Sequence, residues 1–486
     1  MAMSAIIKSL EDIMRRDAGL NGDAQYIEQV TWLLFLKAFD VKEMEWELKE
    51  NYSPVIPEKF QWRNWAEDNE GITGEELIEF IDELFKALKN LDFSDGDKRK
   101  KVVRDVFADI NNYMKSGIEL RKLINRINEK VDFIDAHSKH TFNDLYEGML
   151  KDLQSAGRAG EYYTPRAVTN FVVEKVNPKL GEIILDPACG TGGFLTSTIA
   201  HFGKIENTAD LNILQTTIKG WEKKPLPYLL ATTNLILHDI EVPQIEHKNS
   251  LAAYKEYTDK DRVDVIFANP PFGGAEDSGI KDNFPAEFRT SETADLFLVL
   301  IMKLLKVGGR CGIVLPDGFI FGDGVKAAIK KRMLEEFGLH TIVRLPAVFK
   351  PYASVNTNLF FFQKGVKSSG VWFYRLDYPD GVKSFTKTKP INDQHFDPVR
   401  EWWDDKKFIE VCGKDKAKFF SADELAAMNY DFDKCCPFPH TDEEIFEPTD
   451  IIENFLTERD EIAFEMADIL AEIKLELTKE RKKNDC

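Results

Sequence analysis

The sequence predicts an α/β protein whose central domain is a mostly parallel sheet with helices on both faces. Three observations predict this class. Short β-rich runs alternate with amphipathic stretches in residues 154–365, helical periodicity alone fills residues 1–153, and apolar residues spaced by three and four return in residues 441–486. We therefore expect a helical N-terminal domain, a sheet domain, an irregular extension at residues 366–440 and a C-terminal helical arm.

The N-terminal domain, residues 1–153, is predicted to be all-helical. Ile6, Ile7, Leu10, Ile13 and Met14 form one apolar stripe. The segment "YIEQVTWLLFLKAFD" is apolar nearly all round, which indicates a buried helix. The small-residue stretch "QSAGRAG" then separates this domain from the next.

The sheet domain contains the runs "GEIILD", "TTIKGWE", "VDVIFAN", "RCGIVLPD", "HTIVRLP" and "NLFFFQK". Because amphipathic stretches stand between most of these runs, they predict βαβ units and parallel strands. The last two runs are separated by "AVFKPYASVNT", which has no helical pattern. We therefore expect them to pair as a terminal antiparallel hairpin.

The C-terminal segment, residues 441–486, predicts a long amphipathic helix. Its apolar positions are Ile452, Phe455, Leu456, Ile462, Met466, Ile469, Leu470, Ile473 and Leu477. Two interpretations stay open: a helix that packs on its own domain, and a coiled-coil arm that binds a partner.

Composition limits the class of protein. The 486 residues carry a net charge of −19, and residues 441–486, with 15 acidic and 6 basic side chains, contribute −9 of it. No run is apolar and long enough to span a membrane. The six cysteines include no CxxC pair, so we expect no metal site and a reducing, cytoplasmic location.

A glycine-rich turn follows the first predicted strand, in "IILDPACGTGGFL". The strand ends at Asp186, and Gly190, Gly192 and Gly193 leave room for a ligand against the backbone at a helix start. Such a turn fits NAD, FAD or S-adenosylmethionine, although the GxGxxG spacing is missing. Glu222, at the end of the second run, can accept ribose hydroxyls and favours an adenosine-bearing ligand.

Upstream, "GEYYTPRAVTNFVV" places Thr164 and Pro165 just before an amphipathic helix. The pair suits a helix start. The hydroxyl and the free amides there could equally hold the carboxylate of an amino-acid-like cofactor.

The stretch "VDVIFANPPFGG" ends a buried strand in an amide, two prolines and an aromatic ring. Asn269 is expected at the carboxyl edge of the sheet, where ligands bind in open α/β folds. Its side-chain oxygen and the Pro270 carbonyl would be preorganised acceptors for an exocyclic amine, which frees the nitrogen lone pair for methylation. Phe272, expected to be exposed, would restore the stacking that a flipped base loses.

These motifs together resemble the modification subunit of type I restriction-modification systems, an N6-adenine DNA methyltransferase. The resemblance rests on "GEYYTPRAV", "DPACGTGGFL", "NPPF", "LPDGFIFGDG" and "IVRLPAVFKPYASVNTNLFFF" and covers residues 5–365. It implies a Rossmann-like fold with a seven-stranded, mostly parallel sheet. It also implies that S-adenosylmethionine is bound by Glu161, Tyr162, Tyr163, Thr164, Pro165, Arg166, Asp186, Gly190, Thr191, Gly192, Gly193 and Glu222. It also implies that Asn269, Pro270, Pro271 and Phe272 hold the target adenine. Asn249 stands where many relatives have an aspartate, which puts a contact to the cofactor's adenine in doubt.

The resemblance implies partners as well. A specificity subunit would recognise the double-stranded DNA, with two modification subunits to one specificity subunit, and a restriction subunit would be added for cleavage. We expect the C-terminal helix to contact the specificity subunit and the basic run "KRKKVVR" to contact DNA.

Three alternatives remain at this point. A methyltransferase could use the same loop on RNA or on a protein glutamine, a scaffold could keep the fold without catalysis, and a self-contained restriction enzyme could join both activities. Against the last of these, we find no nuclease-like cluster of carboxylates and a lysine in the N-terminal region, and we expect no room for a recognition domain.

Overall fold

Alternating apolar runs and amphipathic segments fold as an α/β sheet with a helical N-terminal part. The computed structural model describes residues 3–48, 52–94, 96–131, 163–205, 207–272, 276, 278–321, 324–349, 356–379, 381–382, 384–386 and 389–435. All of them belong to one unit, Met1–Pro437. The predicted C-terminal helix and the "QSAGRAG" linker lie outside the described residues.

Six helices form the N-terminal part of the described chain: α1 (Met3–Met14), α2 (Asp23–Glu47), α3 (Trp62–Trp65), α4 (Gly74–Lys89), α5 (Lys98–Phe107) and α6 (Gly117–Lys130). The helix α2 contains the apolar segment that predicted burial, and Trp32, Leu33 and Leu36 are fully buried in it. The predicted helical character of this part is confirmed.

Ten further helices follow in the described residues after position 163: α7 (Arg166–Val176), α8 (Gly193–Phe202), α9 (Thr208–Thr217), α10 (Pro225–Leu237), α11 (Ser278–Lys281), α12 (Thr293–Leu304), α13 (Asp317–Ile320), α14 (Val325–Glu336), α15 (Asp397–Trp403) and α16 (Ala422–Ala427). Helices α2 and α10 pack together, and nearby the buried Lys42 ammonium lies 2.5 Å from the Asp239 carboxylate. The helical part therefore packs directly against the sheet part.

The strands are β1 (Ile184–Asp186), β2 (Ile218–Glu222), β3 (Gln244–His247), β4 (Val263–Ala268), β5 (Leu305–Pro316), β6 (Thr341–Leu345), β7 (Thr357–Gln363), β8 (Gly370–Arg375), β9 (Ile409–Val411) and β10 (Lys414–Ser421). They form one sheet in the order β3-β2-β1-β4-β5-β7-β6-β8-β10-β9. Strands β1 to β5 are parallel, and β7 runs antiparallel between β5 and β6. The predicted antiparallel pairing of the last two apolar runs is thus confirmed.

The described sheet has ten strands, so the predicted count of seven is wrong. The extra strands β8, β9 and β10 come from the segment expected to be an irregular extension. Strand β9 has three residues, and β10 alternates lysines with other residues in "KDKAKFFS". Short, charged strands are typical of a sheet edge, and they lack the apolar alternation that predicts a strand from sequence.

The order of the strands in the sheet indicates where a ligand is expected to bind. Strand β1 is followed by β2 and β3 on one side, whereas β4 and β5 lie on its other side. The order therefore reverses between β1 and β4, and ligands of open α/β sheets bind at the carboxyl end of such a switch point.

Candidate functional site

A cleft opens at the carboxyl ends of β1, β2 and β4. Asp186, Glu222 and Asn269, each at or just after the end of one of these strands, all line it. The cleft holds about 790 Å³ of empty space, part of it open to solvent.

The glycine turn forms the floor of the cleft. Gly190 and Gly192 have φ values of 52° and 81°, in the left-handed region that favours glycine. Helix α8 begins at Gly193, as predicted, and Gly193 and Phe194 line the cleft. The free amides of a helix start therefore lie beside the ligand space.

Glu222 holds this turn in place. Its Oε2 accepts the Gly190 N–H at 3.0 Å, and its Oε1 accepts the Lys224 N–H at 2.7 Å. Each carboxylate oxygen keeps further lone-pair capacity for a ligand hydroxyl. Burial raises the pKa of Glu222, and the two backbone donors oppose that rise.

Asp186 is the second buried carboxyl group of the cleft, with 2% of its surface exposed. Its Oδ1 accepts the Ala188 N–H at 3.0 Å. Burial raises the pKa of Asp186 to about 8, and the nearby Glu222 charge adds to the rise. In the described part of the chain no cationic side chain lies within ion-pair distance of Asp186. A cationic ligand would therefore be stabilised here.

Only one end of the Asn269 amide has a hydrogen-bond partner among the described residues. Its Nδ2 donates to the Thr164 Oγ1 at 2.9 Å, across 105 positions of sequence. Its Oδ1 is buried and, among the described residues, has no hydrogen-bond donor. A buried acceptor without a partner costs about 1–3 kcal/mol, which a ligand donor would offset.

Phe272 differs from its expected exposure. The ring is half-buried against the core and contacts Phe349 edge-to-face, with ring centroids 5.7 Å apart. Sequence alone could not show this, because Phe349 lies 77 positions later, beyond two strands.

The predicted site residues divide into three groups. Thr164, Asp186, Gly190, Thr191, Gly193, Glu222, Asn269 and Pro271 line the cleft. Tyr163, Pro165, Arg166, Gly192, Pro270 and Phe272 are described but do not line it. Glu161 and Tyr162 lie outside the described residues.

Arg166 acts on the helices rather than on the cleft. Its guanidinium donates to the Gly193 carbonyl at 3.2 Å and to the Thr196 hydroxyl. This contact ties the start of α7 to the start of α8. Gly192, also outside the cleft, is the residue before α8, and a side chain there would meet Ala231 at 3.5 Å.

Sequence reasoning missed several lining residues: Pro187, Ala188, Cys189, Phe194, Lys223, Lys224, Ser250, Glu276 and Phe297. Six of them lie within two positions of a predicted site residue in the same turn, and this proximity was the signal that could have found them. Phe297 lies on α12, and only the fold brings it to the cleft.

Asn249 lines the cleft as well. Its Oδ1 accepts the Leu251 and Ala252 backbone N–H groups at 3.1 and 3.4 Å. The amide oxygen is therefore used by its own turn. This arrangement supports the doubt about a contact from that oxygen to an adenine amine.

The basic run expected to contact DNA forms part of α5. Arg99 pairs with Asp97 at 2.8 Å, and Lys101 and Arg104 pair with Asp105 at 2.5 and 2.8 Å. Much of its charge is thus offset within the helix region, and the DNA contact stays a prediction.

Two features are absent from the residues that the structure describes. No cluster of three or more His, Cys, Asp or Glu side chains could hold a metal ion. No helix there has the length and apolar character needed to cross a membrane.

Comparison with known proteins adds independent findings. The family model "N-6 DNA Methylase" matches residues 137–443, and the model "HsdM N-terminal domain" matches residues 3–127. The type I restriction enzyme EcoEI methylase subunit of Escherichia coli is 50% identical over 472 residues, which cover 95% of this chain and 96% of that protein.

Solved structures agree. A modification subunit of a putative type I restriction enzyme from Vibrio vulnificus YJ016 is 42% identical, with a TM-score of 0.77, and the match covers 87% of this chain and 92% of that one. A chain from a structural study of complex assembly in the type I restriction-modification system is 36% identical, with a TM-score of 0.76, and the match covers 96% and 97%.

Proposed function

The chain belongs to the N-6 DNA methylase family, among the methylase subunits of type I restriction enzymes, and on that premise we propose which residues carry its reaction. The cleft at the ends of β1, β2 and β4 binds S-adenosylmethionine, and Asn269 holds the adenine amine that accepts the methyl group.

The cofactor proposal rests on the fit between the cleft and S-adenosylmethionine. When bound, this cofactor supplies an electrophilic methyl group on a positively charged sulfur. Asp186 and Glu222 are buried carboxyl groups with raised pKa values, and a cation relieves the cost of their ionisation. The glycine turn and the start of α8 offer backbone N–H groups to the polar end of the ligand. Thr164 lines the same cleft from the side of α7.

One observation carries the assignment of the adenine site: the buried Asn269 Oδ1 has no donor among the described residues. An amine N–H would satisfy it. With a second acceptor at the Pro270 carbonyl, both amine hydrogens would be drawn away from the ring plane. The nitrogen lone pair is then released from the ring and is available to attack the methyl group.

Pro270 and Pro271 keep this acceptor pair rigid, because a proline fixes its own φ and restricts the residue before it. Phe272 provides an aromatic surface for a base that has left the DNA stack. Its edge contact with Phe349 fixes the ring, so the stacking surface is preformed.

We also propose how this chain assembles with other subunits. A relative of known structure was studied for complex assembly in the type I system. We propose that this chain likewise receives DNA sequence recognition from a specificity subunit, with two methylase subunits to one, and joins a restriction subunit for cleavage. We further propose that the helical N-terminal domain ends near residue 153 and that residues 441–486 form a separate segment. We also propose a cytoplasmic location.

The test replaces Asn269 with Ala in the complex reconstituted with its specificity subunit. Methylation of duplex DNA by labelled cofactor should fall at least about 100-fold, since one transition-state hydrogen bond is worth that much in comparable sites. Cofactor affinity, measured by calorimetry, should change little. Asn90→Ala is the matched control, because Asn90 is exposed and donates only to the Lys86 carbonyl of its own helix.

Unchanged DNA methylation in Asn269→Ala would refute the assignment of the adenine site. Label that enters RNA or protein but not DNA would instead favour a different acceptor. A wild-type complex that assembles on DNA without transferring any label would support a scaffold.

A further inference from the structure

The hydrogen bond from Asn269 to Thr164 links two motifs that sequence analysis treated separately. Thr164 stands just before Pro165, the residue that caps α7, and Asn269 follows β4. The Asn269 Nδ2 donates to the Thr164 Oγ1 at 2.9 Å, and both residues line the cleft. The motif expected to hold cofactor therefore contacts the motif expected to hold adenine.

We propose that Thr164 is a positioning residue that fixes the orientation of the Asn269 amide. This inference rests on the proposed function. An amide presents an acceptor at one end and donors at the other. With its NH2 group held by Thr164, Asn269 turns its oxygen toward the space where the adenine amine binds. The reversed amide would present a donor to that amine, and donor against donor is repulsive.

The surroundings of Thr164 are rigid enough for this role. Arg166 ties the start of α7 to the Gly193 carbonyl, and the Thr169 hydroxyl lies 2.8 Å from the Ser197 hydroxyl of α8. The backbone that carries Thr164 is therefore held against α8 on both sides of the first turn. A hydroxyl on such a support can hold an amide in one orientation.

If the Asn269 side chain had only a structural role, we would expect both its NH2 group and its oxygen to have hydrogen-bond partners. Here only the NH2 end is satisfied, while the buried oxygen has no partner in the described chain. The bond thus stabilises the orientation that leaves the acceptor free, at the cost of an unsatisfied polar atom.

The Thr164 hydroxyl can contact the cofactor and Asn269 at the same time. It has one proton and two lone pairs. If its proton is donated to the cofactor, the hydroxyl can only accept from Asn269, and the amide orientation becomes fixed. A proton donated to the cofactor would therefore reinforce the orientation that the bond to Asn269 already sets.

The test compares Thr164→Val and Thr164→Ser in the complex with the specificity subunit. Valine has the shape of threonine without the hydroxyl, and serine restores it. We expect kcat at saturating S-adenosylmethionine to fall about 10-fold in Thr164→Val, the effect of one hydrogen bond. Thr164→Ser should recover most of it. Thr198→Val is the matched control, because that hydroxyl donates only to the Phe194 carbonyl of its own helix.

A double-mutant cycle separates positioning from cofactor binding. In an Asn269→Ala background, Thr164→Val should lower the single-turnover rate by less than about 2-fold, since the amide to be oriented is gone. Calorimetry with S-adenosylmethionine and thermal unfolding establish binding and folding for each variant.

Two results would overturn the inference while leaving the proposed function intact. One is an unchanged kcat in Thr164→Val with only a weaker cofactor affinity. The other is a full 10-fold loss in the Asn269→Ala background. If the proposed function itself were wrong, the result would differ, because the wild-type complex would not methylate DNA.

Discussion

Replacing Asp186 with Asn should stabilise the protein at alkaline pH and do so increasingly as pH rises from 4 to 8. The Asp186 carboxyl is buried at the end of β1, and its pKa is raised to about 8. In the unfolded chain an aspartate has a pKa of about 3.9. The folded state therefore binds this proton more tightly than the unfolded state does.

The sign of the effect follows from this difference. Below pH 4 both states are protonated, and the folded state bears no cost from burying a charge. Between pH 4 and 8 the unfolded chain loses the Asp186 proton while the folded protein keeps it, so the free energy of unfolding falls as pH rises. Above pH 8 the folded protein carries a buried carboxylate, and the loss is complete. The shift of about 4 pH units corresponds to roughly 6 kcal/mol in all, at about 1.4 kcal/mol per unit.

Asparagine removes the charge and keeps an oxygen that can accept the Ala188 N–H. Thermal unfolding of wild type and Asp186→Asn, without cofactor, should show a difference in Tm that favours the variant at pH 9 and shrinks toward pH 5. S-adenosylmethionine should raise the Tm of wild type more than that of the variant, because the carboxylate stabilises the cation. A Tm difference independent of pH would refute the reasoning.

Two further predictions concern the turn and the sheet. Glu222→Gln should weaken S-adenosylmethionine binding about 10- to 100-fold in calorimetry, because an amide NH2 replaces one of the oxygens that accept the Gly190 and Lys224 N–H groups; equal affinity would contradict it. Gly312→Ala should destabilise the protein by about 1–3 kcal/mol in denaturant unfolding, since the added Cβ would lie 2.4 Å from Val172 Cγ1. In the control Gly279→Ala, the added Cβ meets no atom within 4 Å, and because Gly279 lies in α11 the change should not destabilise the protein.

The sequence predicted the positions of three cleft residues at strand ends better than it predicted the number of strands. Asp186, Glu222 and Asn269 were placed at strand ends because each closes an apolar run, and parallel strands bring such ends to one edge. The edge strands β9 and β10 gave no such signal. They are short or rich in lysine, so neither burial nor alternation marked them.

Local pattern by itself determined the α/β class, the helical N-terminal part and the positions of the glycine turn and the Asn-Pro-Pro-Phe loop. These follow from periodicity and backbone chemistry, which act between near neighbours in the chain. Only the tertiary structure decided that Thr164 contacts Asn269, that Phe349 contacts Phe272, and that Phe297 reaches the cleft. Each of these contacts joins residues brought together by strand order, and single-sequence periodicity carries no record of which distant side chains meet.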